Sequence, residues 1–179
     1  GRKAMPPRSS LSTLNRLPGN VRLMRPAARR RAIRDLFESL FAAYGPQRWW
    51  PGETPFEVMV GAILTQNAAW KNVEKAIANL KSAGCLDAGR MSAMSPDRLA
   101  ELIRPAGYFN VKARRLRAFL EFFLDGFGGK VDAMKEKETF RLREALLGVN
   151  GVGRETADSI LLYALEKPIF VVDAYTRRV

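Results

Sequence analysis

The sequence has no histidine and a single cysteine, Cys85, among 179 residues. The missing histidine rules out His-based triads and imidazole metal sites within this stretch. One cysteine allows neither an internal disulfide nor a cysteine-rich metal site. Cys85 fits a reducing compartment and reads as a small buried hydrophobe. No apolar run approaches the eighteen or more residues of a membrane span. Strand signals are scarce, with Ile169 to Val172 the one short β-like run. Acidic residues are missing from the first 34 positions, which hold ten Lys/Arg. The net charge of +12 suggests a polyanionic partner. The other 145 residues carry 20 basic and 18 acidic side chains, so most of the excess sits on the N-terminal arm. That arm, residues 1–26, is rich in Pro, Ser and Arg, lacks helical periodicity and reads as disordered. A backbone-holding arm, a solubilising tail and an acid-free transit peptide all fit it. Gly1 in place of methionine reads as a processed or truncated chain.

What is present is helical patterning and ample apolar content, 47% of residues. Ala27 to Tyr44 carries Ile33, Leu36, Phe37, Leu40 and Phe41 on one stripe and ends at Gly45-Pro46. Thr54 is placed as an N-cap with Pro55 at the first helical position. The helix that follows, to about Gln66, is apolar nearly all round and belongs at the centre of a bundle. Trp70 to Ala83 is amphipathic. Ser95-Pro96-Asp97 caps a helix through Leu99, Leu102 and Ile103, broken by Pro105 and Gly107. Asn110 to Phe127 is a longer helix, with Lys112, Arg114, Arg115 and Arg117 near its start and aromatics deeper in. The expected fold class is all-α.

The stretch that organises the rest is Leu147-Gly-Val-Asn-Gly-Val-Gly-Arg-Glu-Thr-Ala157, followed by an apolar helix and Val171-Val-Asp-Ala-Tyr175. Gly151 and Gly153 bracket a tight turn between two helical patterns. Phe140, Leu142, Ala145 and Leu146 precede it; Ala157, Ile160, Leu161 and Ala164 follow. Amides of such a turn and the start of the second helix can face a phosphate. Alone, the glycine pair is also an ordinary helix end, and Asp173 reads equally as an N-cap.

Together, Gly151-Val152-Gly153, Thr156-Ala157 and Val172-Asp173, with Arg178 downstream, resemble the helix-hairpin-helix Gly/Pro-Asp superfamily of DNA glycosylases, on its endonuclease III-like branch. The resemblance runs over roughly Arg34 to Val179. It implies a six-helix barrel over residues 55–173 and part of a second helical domain over 27–54. Residues 174–179 would begin that domain's C-terminal segment. The implied partner is double-stranded DNA with damaged bases, acted on by a monomer away from membranes. The implied location is the cytoplasm (nucleoid) of a bacterium or archaeon, or the nucleus or an organelle of a eukaryote.

The resemblance also assigns residues. Asp173 would activate water or stabilise positive charge on the sugar. Thr65-Gln66-Asn67 matches the segment whose glutamine fills the gap left by an extruded base. Gly107-Tyr108-Phe109-Asn110-Val111-Lys112 matches the loop whose wedge, here Tyr108, enters from the opposite side. DNA contacts are thus expected from Gln66, Asn67, Tyr108, Asn110, Lys112, Gly151, Val152, Gly153, Arg154 and Thr156. An enzyme working at the sugar–base bond must extrude the base, and side chains then occupy the vacated stack. Without the resemblance, Gln66 reads as a helix-end cap and Tyr108 as half-buried packing.

Glu155 departs from the pattern of strand-cutting members, which carry there a lysine that forms a Schiff base with the sugar. Glutamate cannot form one, and the neighbouring guanidinium of Arg154 is a poor nucleophile. The expected enzyme is therefore monofunctional. Glu155 is counted with Asp173 in the catalytic cleft, where orienting water, pairing with arginine and mere surface tolerance stay open. Trp49-Trp50-Pro51 and Trp70 point to the 3-methyladenine type, in which residues matching Trp50, Pro51 and Trp70 line the base pocket. A cationic alkylated adenine would stack well on indoles. The resemblance implies no cofactor for the chemistry and a monovalent cation, K⁺ or Na⁺, on the carbonyls of Leu147, Val149 and Val152. Cysteines for a four-iron, four-sulfur cluster would fall past Val179, so the cluster is undecidable from this stretch. Two other readings stay open: an endonuclease III-type glycosylase/lyase for oxidised pyrimidines, and a non-catalytic DNA-binding module.

Overall fold

A computed structural model describes residues 25–46, 50–173 and 175–176. The expected disorder of the arm, Trp49 and Arg178 therefore lie outside the described residues. The chain divides into two compact units, Gly1–Trp49 and Trp50–Val179.

The first unit contributes α1, Pro26–Tyr44, with proline in its first turn and Gly45 closing it through an N–H bond to Phe41 O at 2.7 Å. Proline is tolerated there because that N–H has no helical acceptor. Ile33, Phe37, Leu40 and Phe41 do form one stripe, but all four are exposed and no residue of α1 is buried. A single helix offers itself nothing to pack against. Phe37 and Phe41 stack on each other with ring centres 5.7 Å apart.

The second unit contains α2 (Pro55–Leu64), α3 (Trp70–Ser82), α4 (Ala88–Ala93), α5 (Pro96–Leu102), a 3₁₀ turn (Arg104–Ala106), α6 (Phe109–Phe127), α7 (Val131–Lys135), α8 (Thr139–Leu147) and α9 (Arg154–Ser159). A wider π-helical turn, Ile160–Ala164, continues α9. Among the described residues there is no strand, and Ile169–Val172 has no regular secondary structure. The fold is all-α.

α2 is the axis of this unit. Thr54 accepts the Glu57 N–H at 3.1 Å, and every residue from Glu57 to Leu64 is buried. Around it pack α3, α6, α9 and the π turn. Glu57, buried among them, takes the Lys81 ammonium at 3.0 Å and the Glu53 N–H at 3.2 Å, which offsets the cost of burying its charge. α6 supplies Leu116, Phe119, Leu120 and Phe123 to the core, with Phe119 and Phe123 stacked at 5.9 Å.

Helices α8 and α9 flank the glycine turn. Arg143 on α8 donates through Nε and Nη2 to the two carboxylate oxygens of Asp158 on α9, at 2.6 and 3.1 Å. This two-pronged pair, with Asp158 buried, fixes the angle between the helices. Ala157, Ile160, Leu161 and Ala164 are all buried, as their spacing predicts. Before the turn, only Leu142 and Leu146 face the core. Phe140 is 69% exposed because it sits in the first turn of α8, off that face.

Candidate active site

The Thr65–Asn67 segment, the glycine hairpin and Trp50 meet in one cavity of about 880 Å³, whereas Asp173, Trp70 and Tyr108 lie outside its lining. Trp50, Thr65, Gln66, Asn67, Arg115, the hairpin from Leu147 to Gly153, Glu155, Thr156 and Tyr175 line it.

The hairpin wall is fastened by polar contacts. Gly151 adopts φ +86°, a left-handed conformation open to glycine. The stem of Arg115 lies across it so closely that a β-carbon there would sit 2.2 Å from Arg115 Cγ. The Gln66 amide fits into the same corner. Its Nε2 donates to Gly151 O and Thr156 Oγ1, both at 2.9 Å, and its Oε1 accepts from the Arg115 guanidinium. The donor and acceptor ends of the amide are thereby assigned. Gln66 is half-buried; Thr156 and Val152 are buried. Gly153, Arg154 and Glu155 are exposed at the start of α9, and Asn67 is exposed with φ +52°.

Trp50, which lines the cavity, is backed by an aromatic cluster. Trp50 meets Trp70 edge-on, with ring centres 5.3 Å apart, and tilts against Tyr163 at 5.7 Å. These indoles can approach α2 because Gly61 leaves room: a β-carbon there would lie 3.1 Å from Trp50 Cζ3 and 3.7 Å from Trp70 Cη2. The Trp70 N–H donates to Glu74 Oε1 at 2.9 Å. The Trp50 N–H is buried without an acceptor among the described residues. Pro51 is exposed and is not part of the cavity wall.

Asp173 sits half-buried at the start of a turn and accepts both the N–H and the hydroxyl of Thr176 on Oδ1, each at 2.6 Å. The Thr176 hydroxyl first, then its N–H, hold the Asp173 carboxyl below its ordinary value, so it is ionised at neutral pH. Asp173 therefore is a turn cap and, at the same time, a charged neighbour of the aromatic wall. Burial, and secondarily the Asp173 charge, push the Tyr163 phenol up and keep it protonated.

Tyr108 is 72% exposed, with φ +45° at the N-terminus of α6, and Asn110 is exposed in its first turn. Lys112 requires a correction. It was expected at the DNA, yet its side chain is 1% exposed. Its ammonium donates to Leu64 O at 2.8 Å and Ala106 O at 2.7 Å. A lysine on the inner face of α6 spends its donors on buried carbonyls, and burial lowers its pKa from the usual 10.5.

The expected cation carbonyls of Leu147, Val149 and Val152 belong to residues that line the cavity where α8 ends. Val149 O accepts the Val152 N–H at 3.0 Å and keeps a second lone pair. Leu147 ends α8, where carbonyls in excess suit a cation, and the free lone pair of Val149 O adds to that fit. Among the described residues no group of three or more acidic or cysteine side chains could hold a metal ion.

Sequence reasoning missed Arg115, Tyr163 and Tyr175. Arg115 lies one turn from Lys112 on the same face, a spacing that marks it as facing the same way. Tyr163 was legible only as a polar-tipped aromatic in an otherwise apolar helix.

Comparison with known proteins places this geometry. Residues 60–179 match the family described as HhH-GPD superfamily base excision DNA repair protein. The chain belongs to that superfamily. A relative from Methanocaldococcus jannaschii, whose name places it among DNA repair glycosylases, is 52% identical over 147 residues, 82% of this chain and 67% of its own length. An endonuclease III from Thermotoga maritima is 29% identical over 126 residues, 70% of this chain and 54% of its own. The HhH-GPD chain thus spans about half to two thirds of these relatives. Among solved structures, the H. pylori 3-methyladenine DNA glycosylase bound to 1,N6-ethenoadenine superimposes with a TM-score of 0.67 and 36% identity, covering 81% of this chain and 67% of that one. A non-covalent endonuclease III–DNA complex gives the same TM-score at 22% identity, over 87% and 67%.

Proposed function

We propose that this HhH-GPD protein is a monofunctional glycosylase that removes an alkylated, positively charged purine such as 3-methyladenine from duplex DNA. The observation that carries the reading is a cavity lined by Trp50 and by Glu155, which stands where a Schiff-base lysine would, with the Asp173 carboxylate close enough to act on Tyr163 behind that indole. A cationic base stacks favourably on Trp50, with Trp70 and Tyr163 backing that ring. The amides around Gly151 and the start of α9 are suited to grip a phosphate next to the lesion. A monovalent cation on the Leu147, Val149 and Val152 carbonyls would add charge to that grip and take no part in bond breaking.

In the chemical step the N-glycosidic bond breaks and its electron pair leaves with the base, which becomes neutral. The sugar gains positive charge at its anomeric carbon, and the Asp173 carboxylate stabilises it. Water adds to that carbon, its proton passes through Asp173 to solvent, and an abasic site remains. Tyr163, held protonated, does not compete as a second anion. The likeness to the H. pylori 3-methyladenine DNA glycosylase, at 36% identity, supports the alkylpurine choice.

The test uses full-length protein, a duplex methylated at purines and a duplex carrying thymine glycol. Release of methylated adenine, strand breaks only after alkali and no borohydride-trapped adduct are expected. Asp173→Asn keeps an oxygen for the Thr176 N–H, so binding should persist while base release falls roughly 10²–10⁴-fold. A trapped adduct with thymine glycol would instead establish the glycosylase/lyase reading.

A further inference from the structure

Lys112 spends both of its hydrogen bonds at an informative place. Leu64 O ends α2, two residues before Gln66. Ala106 O ends the 3₁₀ turn, two residues before Tyr108. One buried ammonium therefore joins the carbonyls that end the two helical segments ahead of both loops that would enter the duplex under the reading above. Each loop then contains a non-glycine residue in left-handed conformation, Asn67 at φ +52° and Tyr108 at φ +45°. Left-handed backbone is costly for a side chain such as tyrosine and persists only where its surroundings enforce it. On one side, α6 begins directly after Tyr108, and the Arg104 guanidinium lies 5.6 Å over the Phe109 ring. On the other, Arg115, one turn on from Lys112, holds the Gln66 amide.

We propose that Lys112 is a positioning residue: a buried brace that sets the separation of the Gln66–Asn67 loop and the Tyr108 loop, so that both enter the base stack as one unit. It contacts no phosphate and no base. The proposal rests on the glycosylase reading for the loops' destination, but its test needs no base release.

The test is made with full-length protein and a duplex holding a tetrahydrofuran abasic analogue, with 2-aminopurine beside it as a fluorescent report of unstacking. Lys112→Met fills the slot without donors. The variant should bind with the wild-type salt dependence, because no phosphate contact is lost, while the fluorescence rise per bound complex falls by roughly half or more. A salt slope lower by about one with full unstacking would make Lys112 a phosphate contact and overturn the proposal. Unchanged slope and unchanged fluorescence would overturn it as well. A second measurement does not depend on the folding of that variant. With Lys112 in place, Asn67→Gly, Tyr108→Ala and the double variant are compared by the same fluorescence, since Asn67 is the exposed side chain of its loop while the Gln66 amide is tied to the hairpin. Loops held as one unit require coupled losses; additive losses would overturn the brace. Failure of wild-type protein to release any damaged base, by contrast, would count against the glycosylase reading alone.

Discussion

The two walls of the cavity are held in opposite ways. The hairpin wall is fixed by directional contacts on small groups: Gln66 to Gly151 O and Thr156 Oγ1, and Arg115 to Gln66. The aromatic wall is held by ring packing, and one of its donors, the Trp50 N–H, has no acceptor among the described residues. Hydrogen bonds fix geometry within tenths of an ångström, whereas ring contacts tolerate sliding. Under the proposed function the difference suits two tasks. A phosphate is identical at every step of DNA and rewards a rigid mould. A damaged base varies, and rings that can shift accommodate it.

A β-carbon added to each wall should expose this contrast. On the rigid side, Gly151→Ala places an atom 2.2 Å from Arg115 Cγ at a backbone angle of +86°. Left-handed strain and overpacking together should cost about 2–4 kcal/mol. For a domain of this size the melting temperature should then fall by roughly 5–15 °C. Duplex affinity should fall with it, measured by fluorescence anisotropy. The clash involves the Arg115 stem, so Arg115→Ala combined with Gly151→Ala should lose clearly less than the sum of the single variants. A strictly additive pair would mean that Arg115 does not shape the hairpin.

Local parts of this architecture could be read from local residues. Thr54-Pro55 and Ser95-Pro96 start α2 and α5 because cap and proline act within one turn, and both side chains accept the N–H three residues on. The hairpin and its following helix were legible from two glycines and a 3.6-residue period. The short helices α4 and α7, of six and five residues, show too little periodicity to be recognised. Lys112 misled for a different reason: its charge reads as surface, and only the fold reveals two buried carbonyls within its reach. The Gln66 corner was also hidden, since its partners lie 85, 90 and 49 residues away. Periodicity carries no information over such distances.

On the yielding side, Gly61→Ala brings a β-carbon to 3.1 Å from Trp50 Cζ3, with no unusual backbone angle. Replacing a helix-interior glycine gains about 0.5–1 kcal/mol, and the tight contact gives some of it back. Trp50 is only half-buried and can move by a few tenths of an ångström. Stability should therefore change by less than about 1 kcal/mol, while tryptophan emission shifts and selectivity among alkylated bases changes. A Gly61→Ala loss as large as that of Gly151→Ala would show the aromatic wall to be equally rigid.

The smallest expected effect comes from Thr176, which holds Asp173: that carboxylate is fixed by hydrogen bonds, yet its charge reaches the aromatic side. The Asp173 carboxyl lies below the usual range, chiefly through the Thr176 hydroxyl. A group whose folded value is depressed gives a stabilisation that is complete above the unfolded value and is lost as pH falls through the folded one. Base release that needs ionised Asp173 should likewise persist through mildly acid pH and decline only below the ordinary carboxylate range. Thr176→Val removes the hydroxyl and keeps the N–H, so the carboxyl is partly released. The acid limb of kcat/KM should then move to higher pH with little change on its plateau, since the carboxylate is still ionised there. A plateau that collapsed with an unmoved limb would mean that Thr176 holds the position of Asp173 and does not set its charge state.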